Sequence, residues 1–222
     1  EQLRVALRRY VGVHLIAFGT AAPDADHARL VAQGFEPISV ALQRPIGTEN
    51  GEGRARFTVV RVPPGTMAEG RIQYCEQRTP ALVWQPRWWR HRNAATALAT
   101  VLVCVADPDE AAQRYARFTG LQVTQTGSTR TLSTTRGDLV FADASTLERT
   151  LGVVAPAVPW IAGYALESRD LDATRELVDA AGFAVRELAD ERWMVTLPQA
   201  LGGILIFQRP GAASPISDIL TK

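Results

Sequence analysis

The chain has 222 residues, enough for one large domain or two small ones with a real core. Its 46% hydrophobic and 21% charged residues are those of an ordinary globular protein, and a net charge of +1 argues against a general electrostatic hold on nucleic acid or acidic membrane. No apolar run reaches transmembrane length, no signal peptide is visible, and the two cysteines, Cys75 and Cys104, lie in apolar runs without paired spacing, so the expectation is a cytoplasmic protein with buried thiols.

The chain opens at Glu1 without a methionine and opens mid-pattern, with Leu3, Ala6, Leu7 and Tyr10 at helical spacing. This suggests that residue 1 is not the natural start. A strand follows from Val13. Asp24 stands near the start of an amphipathic helix, and Gly34-Phe35 closes it. Strands are predicted over 35–42, 55–62 and 71–76. A long loop, 77–97, carries the stretch WQPRWWRHRNAA.

The same order then returns. A strand from Val101 leads to Asp107-Pro108, which opens a helix with Ala112, Tyr115, Ala116 and Thr119 on one face, and Gly120-Leu121 closes it. Strands are predicted over 121–126, 129–134 and 138–142. After a linker at 145–159 the pattern appears a third time. It begins at Ile161, with Asp170 opening a helix and Gly182-Phe183 ending it, and strands over 183–188, 193–197 and 203–207. Gly or Pro stands in several turns between strands (Gly127, Gly137, Pro198, Gly202). Equivalent glycines sit at 34, 120 and 182, so the spacings are 120 − 34 = 86 and 182 − 120 = 62 residues. The longer spacing accommodates the 77–97 loop.

The predicted fold class is therefore α+β, with tandem βαβββ modules and mostly antiparallel sheets forming open barrels. The expected domains are a first module over 1–97, a second over 98–144, the linker 145–159, a third module over 160–210 and a tail over 211–222.

Tandem βαβββ modules with a Gly-apolar pair after the helix resemble the vicinal oxygen chelate superfamily, which includes glyoxalase I, extradiol dioxygenases, and fosfomycin- and bleomycin-resistance proteins. The stretch from Arg71 to Ala97 also looks like a TPELVWQP…HPNGA pattern of glyoxalase-like domain proteins. Thr79-Pro80, Leu82-Val83-Trp84-Gln85-Pro86, His91, Asn93 and Ala94 match. Arg92 departs from the family proline, and Ala95 puts a plain side chain at the glycine position. The resemblance implies that modules pair into open eight-stranded barrels. Three modules leave one unpaired, so a fourth module upstream of Glu1, or a second copy in a homodimer, is expected to complete it.

The resemblance also implies metal ligands: a His on a module's first strand, 20 residues before the helix-end glycine, and a Glu on its last strand. Counting back gives 34 − 20 = 14, which is His14. The other modules have Thr100 and Ala162 there. At the last strands stand Glu76, Asp143 and Gln208. His14 and Glu76 are the candidate ligands for a divalent metal (Zn, Fe or Mn), with Glu76 also the candidate catalytic residue. Read without the resemblance, His14 is a core histidine and Glu76 a solvated strand end, and no metal is bound. Trp84, Trp88, His91 and Asn93 are the candidate ligand-binding residues. The functional expectation is a protein acting on a small molecule, either as a metal-dependent lyase, isomerase or dioxygenase, or as a metal-free module that binds and sequesters its ligand.

Overall fold

A computed structural model describes residues 2–49, 51–188 and 191–212. It is an α+β structure of tandem βαβββ modules. After a short helix α1 (Gln2–Leu7), the first module runs β1 (Leu15–Gly19), α2 (Pro23–Ala32), β2 (Ile38–Thr48), β3 (Gly51–Arg61) and β4 (Arg71–Gln77). Two short helices follow, α3 (Pro80–Val83) and α4 (Pro86–Trp89). The second module is β5 (Ala95–Cys104), α5 (Pro108–Thr119), β6 (Val123–Thr126), β7 (Thr129–Thr134) and β8 (Gly137–Ala142). A connecting helix α6 (Ala144–Leu151) leads to the third: β9 (Trp160–Ser168), α7 (Leu171–Ala180), β10 (Val185–Glu187), β11 (Trp193–Thr196) and β12 (Ile204–Gln208).

The helix signals act as the residues dictate. The Asp107 carboxylate accepts from the N–H groups of Asp109 and Glu110 at 2.9 and 3.1 Å, with Pro108 behind it in the first turn. Asp170 caps α7 through the Ala173 N–H at 2.9 Å. Asp24 differs. It lies inside the first turn of α2, where it complements the dipole, and the cap position is Ala22 without a side-chain bond. Gly34, Gly120 and Gly182 share φ values of 79°, 77° and 79°, the left-handed exit that side chains resist.

In every module the first strand pairs parallel with the last: β1 with β4, β5 with β8, β9 with β12. The remaining strands add antiparallel. The first module forms a four-stranded sheet, β1-β4-β3-β2. The second and third fuse through their first strands, β5 against β9, into one eight-stranded sheet. Neither sheet closes.

The chain divides into two compact units, His14–Trp89 and Glu1–Val13 with Arg90–Lys222. The expected first module of 1–97 is thus trimmed at both ends. Tyr10 belongs to the core of the larger unit, where its hydroxyl donates to Val13 O at 2.8 Å and accepts from Ile161 N–H at 3.1 Å. At the other end β5 already begins at Ala95. The expected linker 145–159 is not bare, because Asp143 caps α6 and Gly152, in the left-handed region, ends it. Residues 213–222 of the expected tail lie outside the described residues. No described helix is long and apolar enough to cross a membrane.

Candidate functional site

A sheet with a helix on one face leaves the other face to form a pocket, and the two units treat that second face differently. In the fused sheet α5 covers the side of Tyr115 and Phe141, whose rings lie 4.9 Å apart. The opposite side carries Leu102, Cys104, Val140, Ala142, Ala165, Ile204 and Ile206. It is filled by the chain itself: Leu147 and Leu151 of α6, Tyr10, and the segment around Val153, Ala155 and Ala157 pack onto it. The ligand-equivalent positions are absorbed in this packing. Thr100 and Gln208 are each 1% exposed and Ala162 is fully buried. Asp143 is a helix cap: burial pushes its carboxyl upward, but the Thr146 N–H at 2.7 Å and the Ser145 hydroxyl at 2.7 Å outweigh that and hold it below the usual range. Burial and the nearby Asp143 push the Cys104 thiol up to about 11, so it is inert at neutral pH.

In the first module the register decides the fate of His14 and Glu76. Leu15 sits opposite Arg71, so His14 is level with Gly70, and the Arg71 N–H donates to His14 O at 2.9 Å. A Cβ on Gly70 would fall 2.5 Å from that oxygen, so only glycine allows the strands to close here. Glu76 lies six residues further along β4, which is about 20 Å at the rise of a strand. An imidazole and a carboxylate must both come within about 2 Å of one ion, so these two side chains do not fit a shared metal. The expected pair is corrected on that ground: the parallel pairing places the start of β1 beside the start of β4, not its end. Among the described residues no group of three or more His, Cys, Asp or Glu is placed to hold a metal.

Strand parity also puts Glu76 on the helix side of the sheet. It shares that face with Ile72 and Tyr74. Arg29 of α2 donates to the Tyr74 hydroxyl at 2.9 Å and to Asp26 at 2.8 Å. Burial raises the Tyr74 phenol, with Arg29 opposing. Glu76 lines a shallow depression with Asp24, Ser39, Thr58 and Arg78 at the entrance to α2. Its ion pair with Arg78 is long, 4.0 Å, and water-exposed.

The other face carries odd-numbered residues: Leu15 and Ala17, Phe57, Val59 and Arg61, Arg71, Gln73, Cys75 and Gln77. Arg61 lies directly opposite Gln73. Helix α3 covers the hairpin end, where Leu82 packs over Gly53. The loop after β4 is stapled to the β2–β3 hairpin. Thr79 Oγ1 accepts from Arg56 N–H at 2.9 Å, Gln85 donates to Gly47 O at 3.0 Å, and Arg87 donates to the same carbonyl.

Trp84 and Trp88 therefore sit on this unit, 48% and 56% exposed, with the Arg87 guanidinium 4.8 Å from the Trp88 ring centre. His91 and Asn93 fall in the other unit. His91 is exposed and its carbonyl accepts from Ala94 N–H. Asn93 shapes a turn: its side chain accepts from Ala95 N–H at 3.3 Å and its carbonyl from Thr174 Oγ1 at 2.7 Å. Ala94 holds φ 55°, so the left-handed position in this stretch is Ala94, not Ala95. Sequence reasoning passed over Arg61, Arg71, Gln73 and Gln77. The signal was the alternation within RIQYCEQ, polar at 71, 73 and 77 and apolar at 72 and 74.

Comparison with known proteins bears on this geometry. Residues 2–119 match a family model described as a glyoxalase-like domain. A crystal structure of a hypothetical protein from Staphylococcus aureus is similar with a TM-score of 0.58 at 8% identity, over 87% of this chain and 65% of that one. The Mn(II)-bound glyoxalase from Novosphingobium aromaticivorans is similar with a TM-score of 0.52 at 10% identity, over 88% of this chain and 62% of that one. The chain thus spans just under two thirds of the length of these proteins, and at such identities the likeness establishes the fold. No curated protein sequence matches the chain.

Proposed function

The chain belongs to the glyoxalase-like domain family of the vicinal oxygen chelate superfamily, and on that premise we propose that it binds a small organic molecule on the helix-free face of its first module, without a metal held by His14 and Glu76. The observation that carries the reading is the contrast of faces. The fused sheet has its second face packed with its own apolar side chains. The first module presents Arg61, Arg71, Gln73 and Gln77 there, and its exposed tryptophans lie at the hairpin end of the sheet. Polar groups on a partly apolar sheet face are what fix the orientation of a small ligand.

The metal-dependent lyase, isomerase or dioxygenase reading needs both ligands on one ion, which the strand register does not support. Binding alone accounts for the residues present, as in the sequestering members of the superfamily.

Ligand-observed NMR with a set of aromatic and aliphatic fragments tests the proposal, together with metal analysis of protein purified without chelator. Fragments should bind, and Gln73→Ala should weaken them. His14→Ala should leave metal content unchanged. Stoichiometric metal that disappears in His14→Ala would restore the metal reading, and fragment binding indifferent to Gln73 would move the site elsewhere.

A further inference from the structure

The chemistry of that face narrows its ligand. Residues that share it by register are Ile38, Val40, Leu42, Arg44 and Ile46 on β2, Ala55, Phe57, Val59 and Arg61 on β3, Arg71, Gln73, Cys75 and Gln77 on β4, and Leu15 and Ala17 on β1. Among these described residues there is no carboxylate. Arg61 stands across from Gln73, and Arg71 is diagonal to it, a separation of about 7–8 Å between backbones that two guanidinium groups easily converge across. Both arginines are half-buried.

A second observation points the same way. The Arg71 Nε, the Gln73 Oε1 and the Gln77 Oε1 are buried and make no hydrogen bond among the described residues. A buried donor on a cation and buried amide oxygens without partners are costly to leave unsatisfied. The Arg71 and Gln73 atoms are satisfied at once by a ligand carrying an anionic acceptor next to a hydroxyl or amine donor, while Gln77 lies about 20 Å from Arg71 along β4.

We propose that the helix-free face of the first module selects a small carboxylate, its anionic end held by Arg61 and Arg71, an adjacent hydroxyl or amine by Gln73, and its apolar remainder against Phe57, Val59 and Leu42. Guanidinium matches carboxylate in a planar fork, which a neutral amide cannot reproduce. The proposal rests on the reading of this face as a small-molecule site.

The test compares acids with their own primary amides. Mandelate, lactate, phenylalanine and 3-phenylpropionate, each beside its amide, are titrated to about 10 mM, a range in which millimolar affinities are seen. Wild type, Arg61→Gln, Arg71→Gln and Arg71→Lys are used, with circular dichroism to confirm folding. At least one acid should bind about tenfold or more tightly than its amide, each Gln variant should remove that preference, and Arg71→Lys should keep part of it. Acids and amides that bind equally, with Gln73→Ala weakening both, would overturn the carboxylate proposal and leave the small-molecule site standing. No Arg-dependent binding of any acid, together with no amide binding, would overturn both. If the Arg71 variants do not fold, Arg61→Gln alone decides.

Discussion

The unit His14–Trp89 and the fused second and third modules share one strand order but use the two faces of their sheets differently. Both cover one face with the helix that follows the first strand. The fused sheet then covers the other with its own connection: Leu147 and Leu151 are fully buried there. The first module carries on that face a row of arginine and glutamine, with α3 over its hairpin end. The lesson is that repeats of one module need not carry one function. An apolar connector turns a potential pocket into core, while the first module keeps a row of polar residues on the corresponding face.

Matched substitutions in the two regions test this contrast. Leu147→Ala should destabilise the protein by about 2–5 kcal/mol in denaturant unfolding, because it empties a filled core, whereas Trp88→Ala, on the exposed loop of the first module, should stay within about 0.5 kcal/mol. Equal losses would erase the distinction between filled and open faces.

A smaller effect belongs to the cap that starts the connector. Asp143→Ala should cost about 1 kcal/mol. The folded carboxyl titrates below its unfolded value of about 3.9. Its contribution is therefore complete above that value and is lost as pH falls through the lower folded value. Asp143→Asn keeps a cap and should match wild type near neutral pH while flattening the stability profile in that acid window. An unchanged profile would mean that the charge contributes nothing.

The smallest effect is a gain. Ala94 is held in the left-handed region, so Ala94→Gly should stabilise by about 0.5 kcal/mol, the relief of strain exceeding the added freedom of the unfolded chain. A loss in the same assay would show that the Ala94 methyl, which is buried, contributes more by packing than its backbone costs.

Much of the fold was legible because its signals are local. Asp107, Asp170 and the three left-handed glycines each fix a helix end through one or two residues, and their spacing betrays the repeat. Helix α6 carries the same signature, Asp143 before it and Gly152 after, with Leu147 and Leu151 four apart, but its shortness disguised it as a linker. Strand edges were less legible. Phe35 looks like a strand start, yet its N–H donates back to Leu30 O and β2 begins at Ile38.

The site was the least legible part. Counting from a glycine finds a histidine of the right type, but which end of β4 lies beside it depends on parallel pairing, a non-local property. The face that Glu76 takes depends likewise on where α2 packs. Only the alternation of RIQYCEQ announced an amphipathic strand, without saying which side would be free.

The stapled loop after β4 has one more consequence. Of the five tryptophans, Trp84, Trp88 and Trp89 are exposed and lie together in the first unit, while Trp160 and Trp193 are buried in the other. The molecule is therefore labelled in two optical classes by its own sequence. An aqueous quencher such as iodide reaches the first class in the native state, and the blue-shifted emission that survives it reports the second, so the melting of each unit can be followed in one cuvette without any added dye.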